Sequence, residues 1–117
     1  MKRILIADDD AAILDVMTIV LEDEGFEVVA ICDGDVISKI EEVKPDLVLL
    51  DLWMSGRDGV EITRGLKNNI TTSAIPVVVV SARHDLAEVA KDIGADAYLN
   101  KPFDIETLAS LVRKRLE

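Results

Sequence analysis

Aromatic side chains are scarce in this sequence. Phe26, Trp53, Tyr98 and Phe103 are the whole set in 117 residues. A core must therefore be assembled from Val, Ile, Leu and Ala, the composition of a parallel sheet buried on both faces by helices. Cys32 is the single cysteine. An internal disulfide is excluded, and a buried small apolar side chain in a cytosolic chain is the expectation for Cys32. No apolar run approaches the roughly 20 residues a membrane-spanning helix needs. Only four apolar residues separate Met1-Lys2-Arg3 from the aspartates at 8–10, too few for a signal peptide. A soluble, cytoplasmic protein is expected.

Basic charge is also in short supply. Thirteen Lys and Arg face 23 Asp and Glu, a formal net charge of −10, and the basic residues are scattered rather than gathered in a stripe. Such a balance repels nucleic acid at long range and suits a cation or a basic partner surface; plain solubility would account for it as well. Half of the residues are apolar, enough for one domain with its own core.

The apolar pattern changes period along the chain. "RILIA" (3–7) is a short run stopped by Asp8-Asp9-Asp10, followed by Ile13, Val16, Met17, Val20 and Leu21 on one helical face. Gly25 falls where a helix-ending glycine belongs. "FEVVAI" (26–31) alternates more and reads as an edge strand; a helix over about 34–43 halts before Pro45. "DLVLLD" (46–51) is a third strand, and Asp58 with Glu61 is a capping box for a helix through Asn68. "IPVVVVSA" (75–82), rich in β-branched residues, reads as a central strand. Asp85 with Glu88 is a second capping box, for a helix ending at Gly94. "DAYLN" (96–100) is a fifth strand, and Asp104 caps a last helix whose buried side carries Ile105, Leu108, Ala109, Val112 and Leu116.

Five strands alternating with five helices, joined by right-handed crossovers, give a doubly wound (βα)5 flavodoxin-like α/β fold with strand order 2-1-3-4-5. In that order a ligand site is expected between the carboxyl ends of strands 1 and 3. The residues that fall at this rim are Asp8, Asp9 and Asp10 after strand 1, Asp51 ending strand 3, Ser81 ending strand 4 and Lys101 after strand 5. Taken singly each has an ordinary reading. Asp10 suits a helix cap, Asp8 and Asp9 could cap or lie in a solvated loop, Ser81 could be a turn residue and Lys101 a surface lysine. Their joint placement on one rim is the specific signal. Carboxylates converging there require a cation or a compensating ammonium, and hard oxygen ligands with room for water suit Mg²⁺.

The segments "ILIADDDAAIL", "DLVLLDLWMSGRDGVEI", "VVVVSA" and "GADAYLNKPF" stand in the order and spacing of the receiver domain of two-component response regulators, and the sequence resembles that family over essentially all of residues 1–117. The resemblance implies a phosphoacceptor at Asp51, and Mg²⁺, or Mn²⁺ in its place, held by Asp8, Asp9, Asp51 and the backbone carbonyl of Trp53. It further implies that Ser81 and Lys101 bind the phosphoryl group, that the Lys101–Pro102 bond is cis, and that Tyr98 turns inward on phosphorylation. The implied donor is a phosphohistidine on a sensor kinase or phosphotransfer protein. The implied output is a target protein docking on the face of the fourth helix, fifth strand and fifth helix, with the domain a monomer or a phosphorylation-dependent dimer. On this reading the domain is not an enzyme of external turnover, binds no nucleic acid itself and touches no membrane. It is either a stand-alone regulator or one domain of a longer chain.

Three departures from the family pattern matter, the third of them covering two positions. Ser55 stands where proline is usual, although Gly56 retains the turn, and Arg57 stands where methionine is frequent. Trp53 and Arg83, two residues past the acceptor and two past Ser81, are bulky and flank the path of the attacking water, so slow dephosphorylation is expected. An indole waiting for a partner explains Trp53 equally well. The lone His84 is read as a surface residue. Three other readings fit less well. A haloacid-dehalogenase-like phosphohydrolase needs a second Asp at position 53, an FMN module needs a phosphate loop where "ADDDAAI" stands, and a purely protein-binding module leaves the complete polar set unexplained.

Overall fold

The computed structural model describes residues 1–32, 35–54 and 57–116. The turn residues Ser55 and Gly56, and the side chain of Arg57, lie outside the described residues. Strands β1 (Arg3–Ala7), β2 (Glu27–Ile31), β3 (Leu47–Asp51), β4 (Val77–Ser81) and β5 (Ala97–Asn100) form one sheet in the order β2-β1-β3-β4-β5, every neighbouring pair parallel. Helices α1 (Ala11–Asp23), α2 (Val36–Val43), α3 (Gly59–Asn68), α4 (Leu86–Ile93) and α5 (Ile105–Leu116) alternate with them. This is the flavodoxin-like arrangement that the change of period predicts. A two-residue antiparallel ladder, Trp53–Met54 against Arg57–Asp58, stands outside the sheet just past β3.

The period-2 alternation of the strands sorts their side chains into two cores. Leu5, Ala7, Val48, Leu50, Val77 and Val79 pack against Val36 and Ile40 of α2, Leu66 of α3 and Leu86, Ala90 and Ile93 of α4. Ile4, Ile6, Leu47, Leu49, Val78 and Val80 pack on the other face against Leu14, Met17 and Leu21 of α1 and Leu108 and Val112 of α5. β3 and β4 are buried along their whole lengths, which is why their sequences carry no polar residue before the terminal Asp51 and Ser81. β2 is only half-buried, the mark of an edge strand. Cys32, expected to be buried, is instead exposed just past the end of this edge strand.

Helix α1 sits slightly rotated from its expected face, and α5 keeps its expected face except at Ile105. On α1 the buried stripe is Leu14, Met17 and Leu21, while Val16 is 45% exposed. The helix packs against β1, β2 and α5 rather than over the middle of the sheet, which moves its contact line by about one residue. On α5, Ile105 is 59% exposed and burial starts at Leu108. Among the described residues no helix is long and apolar enough to cross a membrane.

Candidate functional site

The fold places the ends of β1 and β3 side by side, with Ala7 level with Leu50 in the register. The residue after β1 and the last residue of β3 therefore meet. Asp8 and Asp51 are both buried at the rim, 1% and 8% exposed, and Asp9 beside them is exposed. Carboxylate oxygens of Asp8, Asp9 and Asp51 all lie within 4.8 Å of one another.

Lys101 enters from the loop after β5. Its backbone N–H donates to the Ser81 carbonyl (2.9 Å), which draws the chain across the end of β4. The Lys101–Pro102 peptide in this loop is cis. The Lys101 ammonium stands 2.9 Å from Asp8 Oδ2 and donates a long hydrogen bond, 3.4 Å, to Asp51 Oδ2. One ammonium thus serves the two buried carboxylates, Asp8 and Asp51. Burial pushes the Asp51 carboxyl above its ordinary value of 3.8 and the charge of Asp8 adds to this; Lys101 and the Trp53 N–H pull back only in part. Burial depresses Lys101, but its contacts with Asp8 and Asp51 outweigh that and hold the ammonium above its ordinary range.

The remaining oxygens are used unevenly. Asp8 Oδ1 accepts from the Asp10 N–H at 2.9 Å and Asp51 Oδ1 from the Trp53 N–H at 3.3 Å. Asp8 Oδ2 is fully buried, and despite the nearby ammonium no donor is aligned on it as a hydrogen bond. A buried anionic oxygen in that condition is costly unless a cation completes its surroundings. Three carboxylates, two of them buried, form the hard-oxygen donor set that suits a divalent ion such as Mg²⁺. The Asp10 carboxylate is a helix cap, accepting from Ala12 and Ile13 at the start of α1.

The other sequence-predicted residues surround this cluster. Ser81 is buried at the end of β4, and its Oγ accepts from the Arg83 N–H at 3.1 Å. The Arg83 side chain turns away to Asp85, with Nε on Oδ1 at 2.9 Å. Trp53 is 64% exposed, so its indole lies open beside the site rather than packed. Tyr98 is 41% exposed, an outward position on β5. Of the two expected capping boxes, Asp58 caps α3 through the Val60 N–H (2.9 Å), while Glu61 faces Arg64. The second is a correction: Asp85 caps nothing with its side chain, because Arg83 holds both of its oxygens.

Gly59 is a residue that the sequence pattern does not single out. A Cβ there would stand 2.6 Å from Leu52 Cα and Leu52 O and 2.7 Å from Asp51 O. The start of α3 is pressed against the backbone that carries Asp51, and the Gly59 N–H donates to the Leu52 carbonyl at 2.8 Å. A glycine at the first position of a capped helix, where any good helix former would serve locally, is the signal that marks such a close approach.

A doubly wound sheet whose switch point carries an acidic cluster and a lysine defines a flavodoxin-like domain with a charged rim between β1 and β3. The family model for the response regulator receiver domain matches residues 4–113, and the chain belongs to that family: it is a receiver domain of a two-component response regulator. It is 41% identical over 118 residues to the DNA-binding response regulator MtrA of Mycobacterium tuberculosis, covering 98% of this chain and 50% of that protein. Among solved structures it is similar to chemotaxis response regulator CheY4 of Vibrio cholerae, with a TM-score of 0.90, 25% identity and 99% of each chain covered. A CheY-like response regulator receiver domain protein of Methanospirillum hungatei matches with a TM-score of 0.87 and 32% identity, over 99% of this chain and 94% of that one. The chain spans about half the length of the curated relatives it matches.

Proposed function

We propose that this domain takes a phosphoryl group onto Asp51 in a Mg²⁺-dependent reaction and signals through the surface of α4, β5 and α5. The observation that carries this reading is the charge arrangement at the rim: the buried Asp51 carboxylate shares one ammonium with Asp8, beside an Asp8 oxygen that lacks an aligned donor. Asp8, Asp9 and Asp51 would hold the ion, together with the Trp53 carbonyl. Mg²⁺ (or Mn²⁺) bound there supplies neutralisation of carboxylate and phosphoryl charge.

The donor is a phosphohistidine of a sensor kinase or phosphotransfer protein. An Asp51 oxygen forms the new O–P bond as the P–N bond of the donor breaks; the electron pair stays on the imidazole nitrogen, which takes a proton from water. Lys101 already faces both Asp8 and Asp51 and stabilises the negative phosphoryl oxygens. Ser81 accepts one hydrogen bond and retains its own O–H to donate to a phosphoryl oxygen. The aspartyl phosphate adds roughly −1.5 to −2 charges at the rim. Ser81 moves toward it, Tyr98 rotates inward from its exposed position, and the α4–β5–α5 face changes shape for a target protein or a second copy. The domain catalyses only its own phosphorylation and dephosphorylation. DNA binding is stated in the names of the longer relatives, of which this chain spans about half.

Incubation with acetyl phosphate and Mg²⁺, read by intact mass, tests the reading. One phosphoryl adduct is expected on the wild type and none on Asp51→Asn. No adduct on the wild type, or an equal adduct on the mutant, contradicts it. Followed after donor removal, the same samples report the role of Trp53 and Arg83 in excluding water. Trp53→Ala should lose its phosphoryl group faster, and equal half-lives count against the exclusion.

A further inference from the structure

Four of the five helices start on an aspartate whose carboxylate accepts from a first-turn amide. Asp10 takes Ala12 and Ile13, Asp35 takes Ser38, Asp58 takes Val60 and Asp104 takes Thr107. Helix α4 breaks the pattern. Asp85 occupies its N-cap position and its carbonyl accepts from Val89, yet its side chain accepts from no helix amide. Arg83 grips it fork to fork instead, with Nε on Oδ1 at 2.9 Å and a terminal guanidinium nitrogen on Oδ2 at 3.0 Å. The backbone follows the side chain. The ψ of Asp85 is 21°, against 105°, 102° and 101° at the capping residues Asp10, Asp35 and Asp58.

Arg83 is tied at its other end to the site. Its N–H donates to Ser81 Oγ at 3.1 Å. The hydroxyl at the end of β4, the arginine and the cap residue of α4 therefore form one continuous chain of hydrogen bonds. We propose that Asp85 is a carboxylate with two alternative partners: Arg83 holds it while Asp51 is unphosphorylated, and it moves to cap α4 once Asp51 carries a phosphoryl group. The proposal rests on the reading of Asp51 as phosphoacceptor.

The driving forces are local. A phosphoryl group at the rim draws the Ser81 hydroxyl, which loosens the Arg83 N–H, and its new negative charge draws the guanidinium away from Asp85. Asp85 then gains what the other four helices already have, a carboxylate on the positive end of the helix. The two arrangements are close in strength. The pair is solvent-exposed, with side-chain exposures of 52% and 35%, and such pairs contribute about as much as a single aspartate cap. A nearly balanced equilibrium is what a modest local field can reverse. The order of α4, one wall of the output face, would in this way follow the state of Asp51.

Residue-resolved amide hydrogen exchange at Ala87 and Glu88, the second and third positions of α4, tests the exchange of partners. Arg83→Ala and Asp85→Asn free a capping side chain, so without phosphorylation both should slow these amides by roughly five-fold relative to wild type. Phosphorylation of the wild type with acetyl phosphate and Mg²⁺ should slow them to a similar degree, and Asp85→Ala should abolish that response. Wild-type rates in Arg83→Ala, or slowing on phosphorylation that persists in Asp85→Ala, would overturn the proposal. Absence of an adduct on Asp51 by intact mass would remove the functional reading and with it the coupling. The Arg83→Ala and Asp85→Asn rates report the two-partner equilibrium independently of any adduct.

Discussion

The two ends of the sheet use the same chemical groups in opposite ways. At the amino end Lys67, Asp96, Arg3 and Asp46 each have a partner. Lys67 on α3 donates to Asp96 at 2.8 Å and to the Ile75 carbonyl at 3.1 Å, and the same Asp96 oxygen accepts from the Val77 N–H at 2.8 Å. Arg3 pairs with Glu27 and caps the Val43 carbonyl, while its N–H donates to Asp46. At the carboxyl end the buried carboxylates of Asp8 and Asp51 share one ammonium, and a buried Asp8 oxygen has no aligned donor. Balanced charges hold strands and helices together; unbalanced ones cost stability and are kept where a charged ligand completes them.

Changes at each end should separate these two roles. The largest effect is expected from Gly59→Ala. Three backbone atoms of Asp51 and Leu52 within 2.7 Å of the new methyl force α3 or the acceptor loop to shift. A loss of about 3 kcal/mol in denaturant unfolding is expected, with weakened Mg²⁺ binding as well. Gly65→Ala in the same helix meets nothing within 4 Å and provides the control, with a small gain in stability expected. At the amino end, Asp96→Ala leaves the Val77 N–H without its acceptor and Lys67 with the Ile75 carbonyl alone. It should cost about 2 kcal/mol and leave Mg²⁺ binding unchanged.

The smallest effect has the opposite sign. Asp51 is raised above 3.8, so it holds its proton more tightly folded than unfolded. Its contribution to stability is present below that unfolded value and lost as pH rises through the folded value. Without divalent ions, Asp51→Asn should therefore match the wild type at the acid end of this window. It should be more stable than the wild type at neutral pH, as read by melting at a series of pH values. A wild type more stable than the mutant at pH 7 without metal would mean that the rim is not short of positive charge.

Much of this contrast is written in local sequence pattern. The uninterrupted aliphatic runs of β3 and β4, ending on Asp51 and Ser81, follow from burial on both faces, and the doubly wound topology brings those ends to the rim with Asp8 and Lys101. What the pattern did not reveal depends on neighbours distant in sequence or on competition between partners. Gly59 is required by the backbone of Leu52 across the loop, a contact that no helix rule contains. Asp85 has the spacing of a capping box, yet an arginine two residues earlier outcompetes the helix for its carboxylate. Val16 and Ile105 fit helical stripes, and the position of α1 against α5 and the edge of the sheet decides that they stay exposed.

The most direct measurement is a calorimetric titration of metal-free protein with Mg²⁺ at neutral pH, with Trp53 fluorescence followed over the same range. The account predicts one ion per chain in the wild type and in Asp96→Ala, a fluorescence change from the indole beside the site, and no binding in Asp9→Asn over that range. Absence of binding in the wild type, or binding in Asp9→Asn as strong as in the wild type, would contradict it.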